Sequence, residues 1–443
     1  MALSGLDIYK LLPKTNCREC GFVTCLAYAM QLAKKAVSIE KCPYLSAEAK
    51  KILLEQGQPP IRTVVIGSGD AKIETGDETV MFRHEEKFRH PCGIGFVLED
   101  GLSDKAFSDS INAINQLAFE RVGQKLSVNL LALKQKSGKD DFIKAVKSAV
   151  GNSGLALVLM ALDLTSLREA LKITADKRPL IYCPQIKDYI ELAKLAREFN
   201  AGLVLTEGDL ERLSGLTAQV CATGLSDIVL DTGNKPLPQK LWDLTQIRRQ
   251  ALKKSNRSLG FPVLTFVEEK DSYMEAALAA TYVAKYSSIV LLNGIEPWKA
   301  LALLTLRQNI YTDPQKPLQV EPGLYPAGEV SDSSPVLITT NFSLSYYTVL
   351  GEVESSKIPS YILSVDTEGM SVLTAWAAEK FTPEKIAESI KRFEVGSKVR
   401  HRNVVIPGYV AVLSGDLQEN SGLKVIVGPK EAAGIPSFLK NLS

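Results

Sequence analysis

The sequence predicts an α/β protein with a small cysteine-rich N-terminal module, a central (β/α)8 TIM barrel and a C-terminal Rossmann-like domain. Four of the seven cysteines lie within the first 42 residues, and eight short apolar runs then alternate with helical patterns. A second series of strand and helix patterns follows a segment rich in Pro and Gly. We place the three domains at residues 1–57, 58–320 and 325–443.

The composition agrees with a chain of this size and class. A length of 443 residues suggests about three domains. Hydrophobic residues make up 45% and charged residues 23%, as in globular proteins with a large core. A net charge of +2 gives no reason to expect binding to nucleic acid or to an anionic membrane. No signal peptide or membrane-spanning run is evident, so we expect a cytoplasmic, reducing location.

The N-terminal cysteines have the spacing C-x2-C-x4-C-x16-C, formed by Cys17, Cys20, Cys25 and Cys42. Four thiolates hold an iron–sulfur cluster or a zinc ion, and disulfides are a third option. Structural zinc sites usually use two close pairs of ligands, whereas only the first two cysteines form such a pair here. Three ligands from one loop and a distant fourth suit a [4Fe–4S] cubane better than zinc or [2Fe–2S].

The central domain is predicted from eight apolar runs, at residues 94–98, 126–132, 155–161, 179–183, 202–206, 227–231, 262–266 and 288–292. Apolar runs separated by amphipathic helices indicate parallel strands buried on both faces. Eight such units predict a (β/α)8 barrel, and a doubly wound open sheet is the alternative. A hairpin with arms at 71–74 and 79–82 would close the bottom of the barrel.

Polar residues follow the predicted barrel strands, namely Glu99, Asp100, Asp163, Gln185, Glu207, Asp231 and Asn293. They indicate either a polar small-molecule site or the ordinary polarity of surface loops. No histidine occurs at a strand end, and no nucleophile with a partner base can be identified. We interpret Cys92, Cys183 and Cys221 as structural thiols.

The C-terminal domain follows a boundary at 313–329 that is rich in Pro and Gly. Strands are predicted at 336–342, 361–366, 404–406, 410–413 and 424–427, with helices at 343–350, 372–380, from Thr382, and at 432–439. A ligand would bind where the loops 339–341, 367–374 and 428–434 meet. Backbone amides at 369–373 would form an anion site there. The pattern G-x-G-x-x-G is absent, which argues against NAD.

The whole chain resembles the large (gamma) subunit family of the corrinoid iron–sulfur protein of the acetyl-CoA (Wood–Ljungdahl) pathway. Residues 11–21, LLPKTNCRECG, carry the resemblance together with Cys25, Cys42 and Pro43. It implies a methyl carrier whose corrinoid cobalt accepts a methyl group from methyl-tetrahydrofolate through a partner methyltransferase. The carrier then donates the methyl group to carbon monoxide dehydrogenase/acetyl-CoA synthase. The [4Fe–4S] cluster would reduce Co(II) back to Co(I), and a small subunit would complete a heterodimer.

The resemblance also implies corrinoid contacts at Thr340, Tyr346, Met370, Ser371, Val372, Leu373, Thr374 and Ala433. Thr374 would approach the lower face of the cobalt. The histidine motif D-x-H-x-x-G of many corrinoid modules is missing, which fits a base-off cobamide without a protein ligand and equally a domain that binds no metal. Whether the chain is itself an enzyme stays open. The alternatives are an iron–sulfur electron-transfer protein without corrinoid and a pterin-dependent methyltransferase barrel.

Overall fold

The computed structural model describes residues 4–33, 36–316 and 318–442, and within these ranges it divides into two units. The first unit comprises Met1–Ala118 and Ser127–Tyr311, and the second comprises Phe119–Leu126 and Thr312–Ser443. Residues 1 and 443, the predicted outer domain limits, and Pro317 in the predicted boundary lie outside the described residues. None of the helices in the described ranges is both long enough and apolar enough to cross a membrane.

The N-terminal module contains three short helices, α1 (Gly5–Leu11), α2 (Cys25–Ala33) and α3 (Ala47–Gly57). Serine side chains begin two of them, because Ser4 accepts a hydrogen bond from the Asp7 amide and Ser46 accepts one from the Ala49 amide. The three helices share a small core around Tyr28, which is 1% exposed. Its hydroxyl donates to the carbonyl of Ser38 at 2.8 Å, which ties α2 to the chain before Cys42.

The first hairpin differs in part from its prediction. Strand β1 (Val64–Ile66) pairs antiparallel with β2 (Ile73–Thr75), whereas the sequence predicts the second arm at 79–82. Residues 79–82 form no strand, because a buried side chain just before them, that of Glu78, is bonded to Arg248. The Glu78 carboxylate is buried and accepts a hydrogen bond from Arg248 at 2.8 Å. The prediction of the second arm is therefore wrong.

Eight parallel strands form the barrel that the sequence predicts. They are β3 (Gly93–Glu99), β6 (Leu130–Lys134), β7 (Ala156–Met160), β8 (Leu180–Ile181), β9 (Gly202–Thr206), β10 (Ile228–Asp231), β11 (Leu264–Val267) and β12 (Ile289–Leu292). Two further strands between β3 and β6, β4 (Ala118–Arg121) and β5 (Gln124–Ser127), are not part of the barrel sheet. The sheet order is β10-β9-β8-β7-β6-β3-β12-β11. A parallel bridge between Leu230 and Val263 joins its two ends. The barrel is thus nearly closed, and the open-sheet alternative is wrong.

Each barrel strand is followed by a helix, in the order α4 (Asp104–Asn115), α5 (Lys139–Asn152), α6 (Leu164–Thr174), α7 (Tyr189–Glu198), α8 (Leu210–Ala222), α9 (Leu237–Lys253), α10 (Ser272–Ala284) and α11 (Pro297–Tyr311). Aspartates begin several of these helices: Asp163, Asp188, Asp209 and Asp271 each accept a hydrogen bond from a backbone amide in the first turn. Caps of this kind satisfy amides that have no partner within the helix.

A buried ion pair lies at the carboxyl end of β10. The Lys240 ammonium is 2.9 Å from Asp231 Oδ1, and their side chains are 3% and 2% exposed. The Tyr182 hydroxyl donates to Asp231 Oδ2 at 2.9 Å. Burial, and then the nearby Asp231 carboxylate, raise the pKa of Tyr182, so this phenol remains a donor. The pair connects α9 to the end of the barrel sheet.

Strands β4 and β5 form a separate two-stranded sheet within the barrel sequence. Its turn residues Val122 and Gly123 have φ angles of 58° and 71°, as in tight hairpin turns. Residues 119–126 belong to the second unit, where Val122 is buried and its amide donates to the Tyr347 hydroxyl at 2.9 Å. The predicted run at 126–132 therefore covers the end of β5 and the start of β6.

The second unit is built on a five-stranded sheet of β13 (Gly323–Ala327), β14 (Val336–Thr340), β15 (Ser360–Val365), β16 (Asn403–Ile406) and β17 (Lys424–Val427). The order is β13-β15-β14-β16-β17, and β13 alone is antiparallel to its neighbour. The helices are α12 (Ser343–Ser356), α13 (Val372–Ala377), α14 (Pro383–Arg392), α15 (Val395–Lys398), α16 (Ser414–Ser421) and α17 (Ile435–Leu442).

Helices cover both faces of this sheet. Val336 and Ile338 share a core with α14 and α16, whereas the intervening Leu337 packs with α12 and α17 on the other face. Strand β15 lies on one side of β14, and β16 and β17 lie on the other. The chain therefore reverses its direction of winding between β14 and β16.

Two predictions in this unit are wrong. Residues 410–413 are part of the 3-10 helix Gly408–Leu413 rather than a strand. Gly408 packs so closely on the Gly428 carbonyl that an added Cβ would lie 2.6 Å from its oxygen, and this contact accompanies the tight turn. Strand β13 was not predicted because it contains Pro326. An edge strand tolerates proline, since one side of its backbone needs no ladder partner.

Replacing Lys240 with Met should lower the free energy of unfolding by about 3 to 5 kcal/mol, because Asp231 would remain buried and charged without its partner. Denaturant titration measures this loss. Lys172→Met is the matched control, since its pair with Glu169 is 54% and 37% exposed and should contribute less than about 1 kcal/mol. Equal losses in the two variants would contradict the prediction.

Candidate functional site

The N-terminal cysteines lie on a loop with unusual backbone geometry. Lys14, Asn16 and Arg18 have positive φ angles of 58°, 51° and 66°. Alternating left-handed residues turn successive amides toward a common side, as at many iron–sulfur sites. The Asn16 side chain also accepts a hydrogen bond from the Cys25 amide at 2.8 Å, so the loop is fastened to the start of α2.

The four thiols differ in exposure, and three of them influence Cys42. Cys17 is exposed, Cys20 and Cys42 are half-buried, and Cys25 is buried at the start of α2. Burial raises the pKa of Cys42, and the charges of Cys20, Cys17 and Cys25 raise it further. The Cys42 thiol is therefore within electrostatic range of each of the other three.

The cysteines of the described residues are free thiols, and no disulfide joins them. Within the same ranges, no three or more His, Cys, Asp or Glu side chains are gathered as ligands of a single metal ion. The donor set suits a cluster, since four thiolates from one short module are the ligands that [4Fe–4S] centres use.

A second candidate site is an apolar crevice in the second unit, with a volume of about 320 Å³. We call it the crevice. Its apolar wall is formed by Leu337, Ile338, Val349, Val405, Ile406, Gly428, Pro429, Ala432 and Ile435. Its polar lining includes Ser345, Thr348, Ser371 and Lys430. It lies at the carboxyl ends of β14 and β16, where the sheet reverses its winding and where open α/β sheets bind ligands.

The structure places the predicted corrinoid contacts at different depths. Ser371 and Val372 line the crevice, Leu373 and Thr374 are exposed on α13, and Ala433 is exposed next to the lining residue Ala432. Thr340 is buried at the end of β14, and its hydroxyl has no hydrogen-bond partner among the described residues.

The other two predicted contacts lie within the protein core. Met370 is half-buried against the core that contains α14. Tyr346 lies outside the crevice, because its ring packs in the core 5.4 Å from the ring of Tyr325. Burial raises the pKa of Tyr346, and the neighbouring tyrosines act in the same direction.

The sequence predicts a ligand site at the loop 339–341, but it does not reveal the role of Asn341. This side chain is 1% exposed and accepts hydrogen bonds from the amides of Thr367 (2.9 Å) and Gly369 (3.0 Å). The Met370 amide donates to the Thr367 carbonyl. The Gly369 and Met370 amides of the predicted anion site thus donate to acceptors within the protein and are not free to bind an anion. The prediction is wrong for these two amides.

His401 does not reach the crevice. His401 is the only histidine of the second unit's sequence, and it precedes β16 at the amino edge of the parallel strands. One ring nitrogen is 3.0 Å from the Ser334 carbonyl, and the other accepts from the Asn403 amide at 3.0 Å. The crevice lies at the opposite edge, so this imidazole has a structural role.

Most of the polar side chains described at the carboxyl ends of the barrel strands form hydrogen bonds or ion pairs within the protein. Asp163 caps α6, and its hydrogen bond from the Ser166 amide lowers its pKa. Asp100 accepts from the amides of Lys136 and Ser137, each at 2.9 Å. A cavity of about 390 Å³ opens at the mouth, but its buried carboxylate, Asp231, is neutralised by Lys240. These contacts favour ordinary polar loops over an acid–base site.

Comparison with known proteins gives full-length matches. A family model described as CO dehydrogenase/acetyl-CoA synthase delta subunit matches residues 63–439, and a model for an Fe-S cluster matches residues 12–44, which contain all four N-terminal cysteines. The corrinoid/iron-sulfur protein large subunit of Moorella thermoacetica is 45% identical, with 99% of each chain covered. The acetyl-CoA decarbonylase/synthase complex subunit gamma of Methanothermobacter thermautotrophicus is 33% identical, with 100% of each covered.

Among solved structures, the dihydropteroate synthase of Thermus thermophilus is 14% identical. The match covers 56% of this chain and 100% of the synthase, with a TM-score of 0.40. A likeness of this size carries no argument about fold or function.

Proposed function

Because the chain belongs to the family of corrinoid/iron-sulfur protein large subunits and CO dehydrogenase/acetyl-CoA synthase subunits, we propose that it carries methyl groups on a corrinoid. The observation that carries this proposal is the crevice at the switch point of the second unit's sheet. When bound, the corrinoid supplies a cobalt that accepts and donates a methyl group, and the cluster supplies single electrons that keep the cobalt active.

We assign the cluster to residues 1–57, as [4Fe–4S] held by Cys17, Cys20, Cys25 and Cys42. The Fe-S family match, which covers all four cysteines, supports this assignment. Asn16 would hold the loop against α2 through its hydrogen bond from the Cys25 amide. The barrel would lie within residues 58–320, without Phe119–Leu126 and the residues from Thr312 onward, which belong to the second unit.

We assign the corrinoid to residues 325–443, as a Rossmann-like domain. Its parallel strands and two helical layers support that description. Ser371, Val372, Leu373, Thr374 and Ala433 would contact the cofactor from the loops around the crevice. The unpartnered hydroxyl of Thr340 would provide a hydrogen bond there, whereas Met370 and Tyr346 would act from the core behind the site.

The crevice favours a base-off cobamide. Its wall is apolar and accepts a flat apolar group, such as a lower base that has left the cobalt. The only histidine of the second unit's sequence lies at the other edge of the sheet, so this unit offers no imidazole to take the place of that base.

The partners follow from the same proposal. The relatives are described as a large subunit and as a subunit of a complex, and we extend this to a heterodimer with a small subunit. A methyltetrahydrofolate methyltransferase would supply the methyl group, and carbon monoxide dehydrogenase/acetyl-CoA synthase would receive it. A cytoplasmic, reducing location would keep the cysteines as thiols.

Replacing Cys42 with Ala should abolish cluster assembly, because the cubane would lose one of its four ligands. Anaerobic reconstitution followed by metal analysis should give about four irons per chain in the unchanged protein and far fewer in the variant. Cys183→Ala is the control, since this thiol is 2% exposed in the barrel and should leave iron content unchanged. Zinc in place of iron in the unchanged protein would refute the cluster.

Replacing Thr348 with Trp should weaken cobamide binding by about ten-fold or more, because the indole would fill part of the crevice. Thr348 is exposed, and its hydroxyl bonds only within α12, to the Leu344 carbonyl, so stability should change little. Absorbance titration with cobamide measures the affinity.

Ser355→Trp, on the same helix but outside the crevice, is the matched control and should bind like the unchanged protein. Equal affinities in both variants would exclude the crevice as the cobamide site. Full iron loading with no cobamide binding in the unchanged protein would instead indicate the electron-transfer alternative.

A further inference from the structure

We propose that Asn341 is a positioning residue that orders the loop 366–370 and thereby sets Ser371 and Val372 in the crevice wall. The importance of that order for cobamide rests on the proposed function. The ordering itself concerns only the residues of this chain and can be tested without any cofactor.

The side chain of Asn341 uses all of its hydrogen-bonding capacity. Its oxygen accepts from the amide and the hydroxyl of Thr367, each at 2.9 Å, and from the Gly369 amide at 3.0 Å. Its nitrogen donates to Asp366 at 3.3 Å and to Gln319 at 3.2 Å. An amide side chain is suited to this place, since it presents an acceptor and two donors together.

The loop does not favour its own conformation. Glu368 and Gly369 have φ angles of 58° and 76°, and the left-handed region is unfavourable for a residue with a side chain. The Glu368 amide is held by the Asp366 carboxylate at 3.0 Å. Without Asn341, the buried amides of Thr367 and Gly369 would lack an acceptor, and the loop would have to rearrange to reach water.

Asn341 also connects the loop to the segment 318–320. The Val320 amide donates to the Asn341 carbonyl at 2.8 Å, and the Ser343 amide donates to the Leu318 carbonyl at 3.1 Å. A Cβ on Gly369 would lie 2.7 Å from Gln319 Cγ, so loop and segment are in direct contact. Asn341 therefore contacts two stretches of chain beside the end of β14: its side chain holds the loop and also reaches Gln319, and its backbone carbonyl accepts from Val320.

Asn341→Ala tests the proposal in the full-length chain. Hydrogen exchange of the amides in 366–370 should speed up by about ten-fold or more before any cofactor is added. Cobamide affinity, measured by absorbance titration, should fall by about ten-fold, because binding must then order the loop. Iron content should stay unchanged, since the cysteines lie in the other unit. Asn420→Ala, exposed on α16, should leave every readout unchanged.

Unchanged exchange in 366–370, or an unchanged affinity with faster exchange, would overturn the proposal. If Asn341→Ala fails to fold, Asn341→Leu answers the same question. Leu keeps a side chain of similar shape but offers no acceptor to the amides of Thr367 and Gly369, so it should give the same two changes. Failure of the unchanged protein to bind cobamide would count against the proposed function alone, because the exchange measurement still decides whether Asn341 orders the loop.

Discussion

Parallel pairing of strands is the constraint on which both units depend. A parallel strand reaches its neighbour only by a crossover, here usually a helix, so all carboxyl ends meet at one edge and both faces of the sheet are covered. In the first unit the strands close almost completely into a ring, and the edge becomes a mouth whose buried carboxylate, Asp231, is paired with Lys240. In the second unit the winding reverses beside β14, and the same constraint leaves an apolar crevice.

The candidate sites achieve order in different ways. Around the cysteines, order comes from backbone geometry, with left-handed residues and the hydrogen bond from Cys25 to Asn16. Around the crevice it comes from a buried amide, Asn341, whose contacts replace the backbone partners that a sheet or helix would supply. At the barrel mouth, the carboxylates that could bind a ligand instead cap a helix, as Asp163 does, or form an ion pair, as Asp231 does with Lys240.

Periodicity in the sequence was enough to predict the eight barrel strands, because buried parallel strands are continuous apolar runs. The cysteine spacing was enough for the cluster motif, and the full-length relatives confirm the family that it indicated. Strand order could not be read from the chain, so the apolar wall around Leu337 and Val405 was not assigned. The role of Asn341 could not be predicted from the sequence either, because its hydrogen-bond partners include residues 22 and 26 positions away. Strand β13 was also missed, because Pro326 within it is typical of a loop.

The hairpin of β4 and β5 has a consequence for dissecting the protein. The second unit includes eight residues that lie within the barrel sequence, Phe119–Leu126, and Val122 is buried among the side chains of that unit. A fragment that starts near Thr312 would lack this insert and expose the surface that it covers. The carboxyl-terminal unit is therefore not a contiguous module, and the polypeptide passes between the units at three points instead of one.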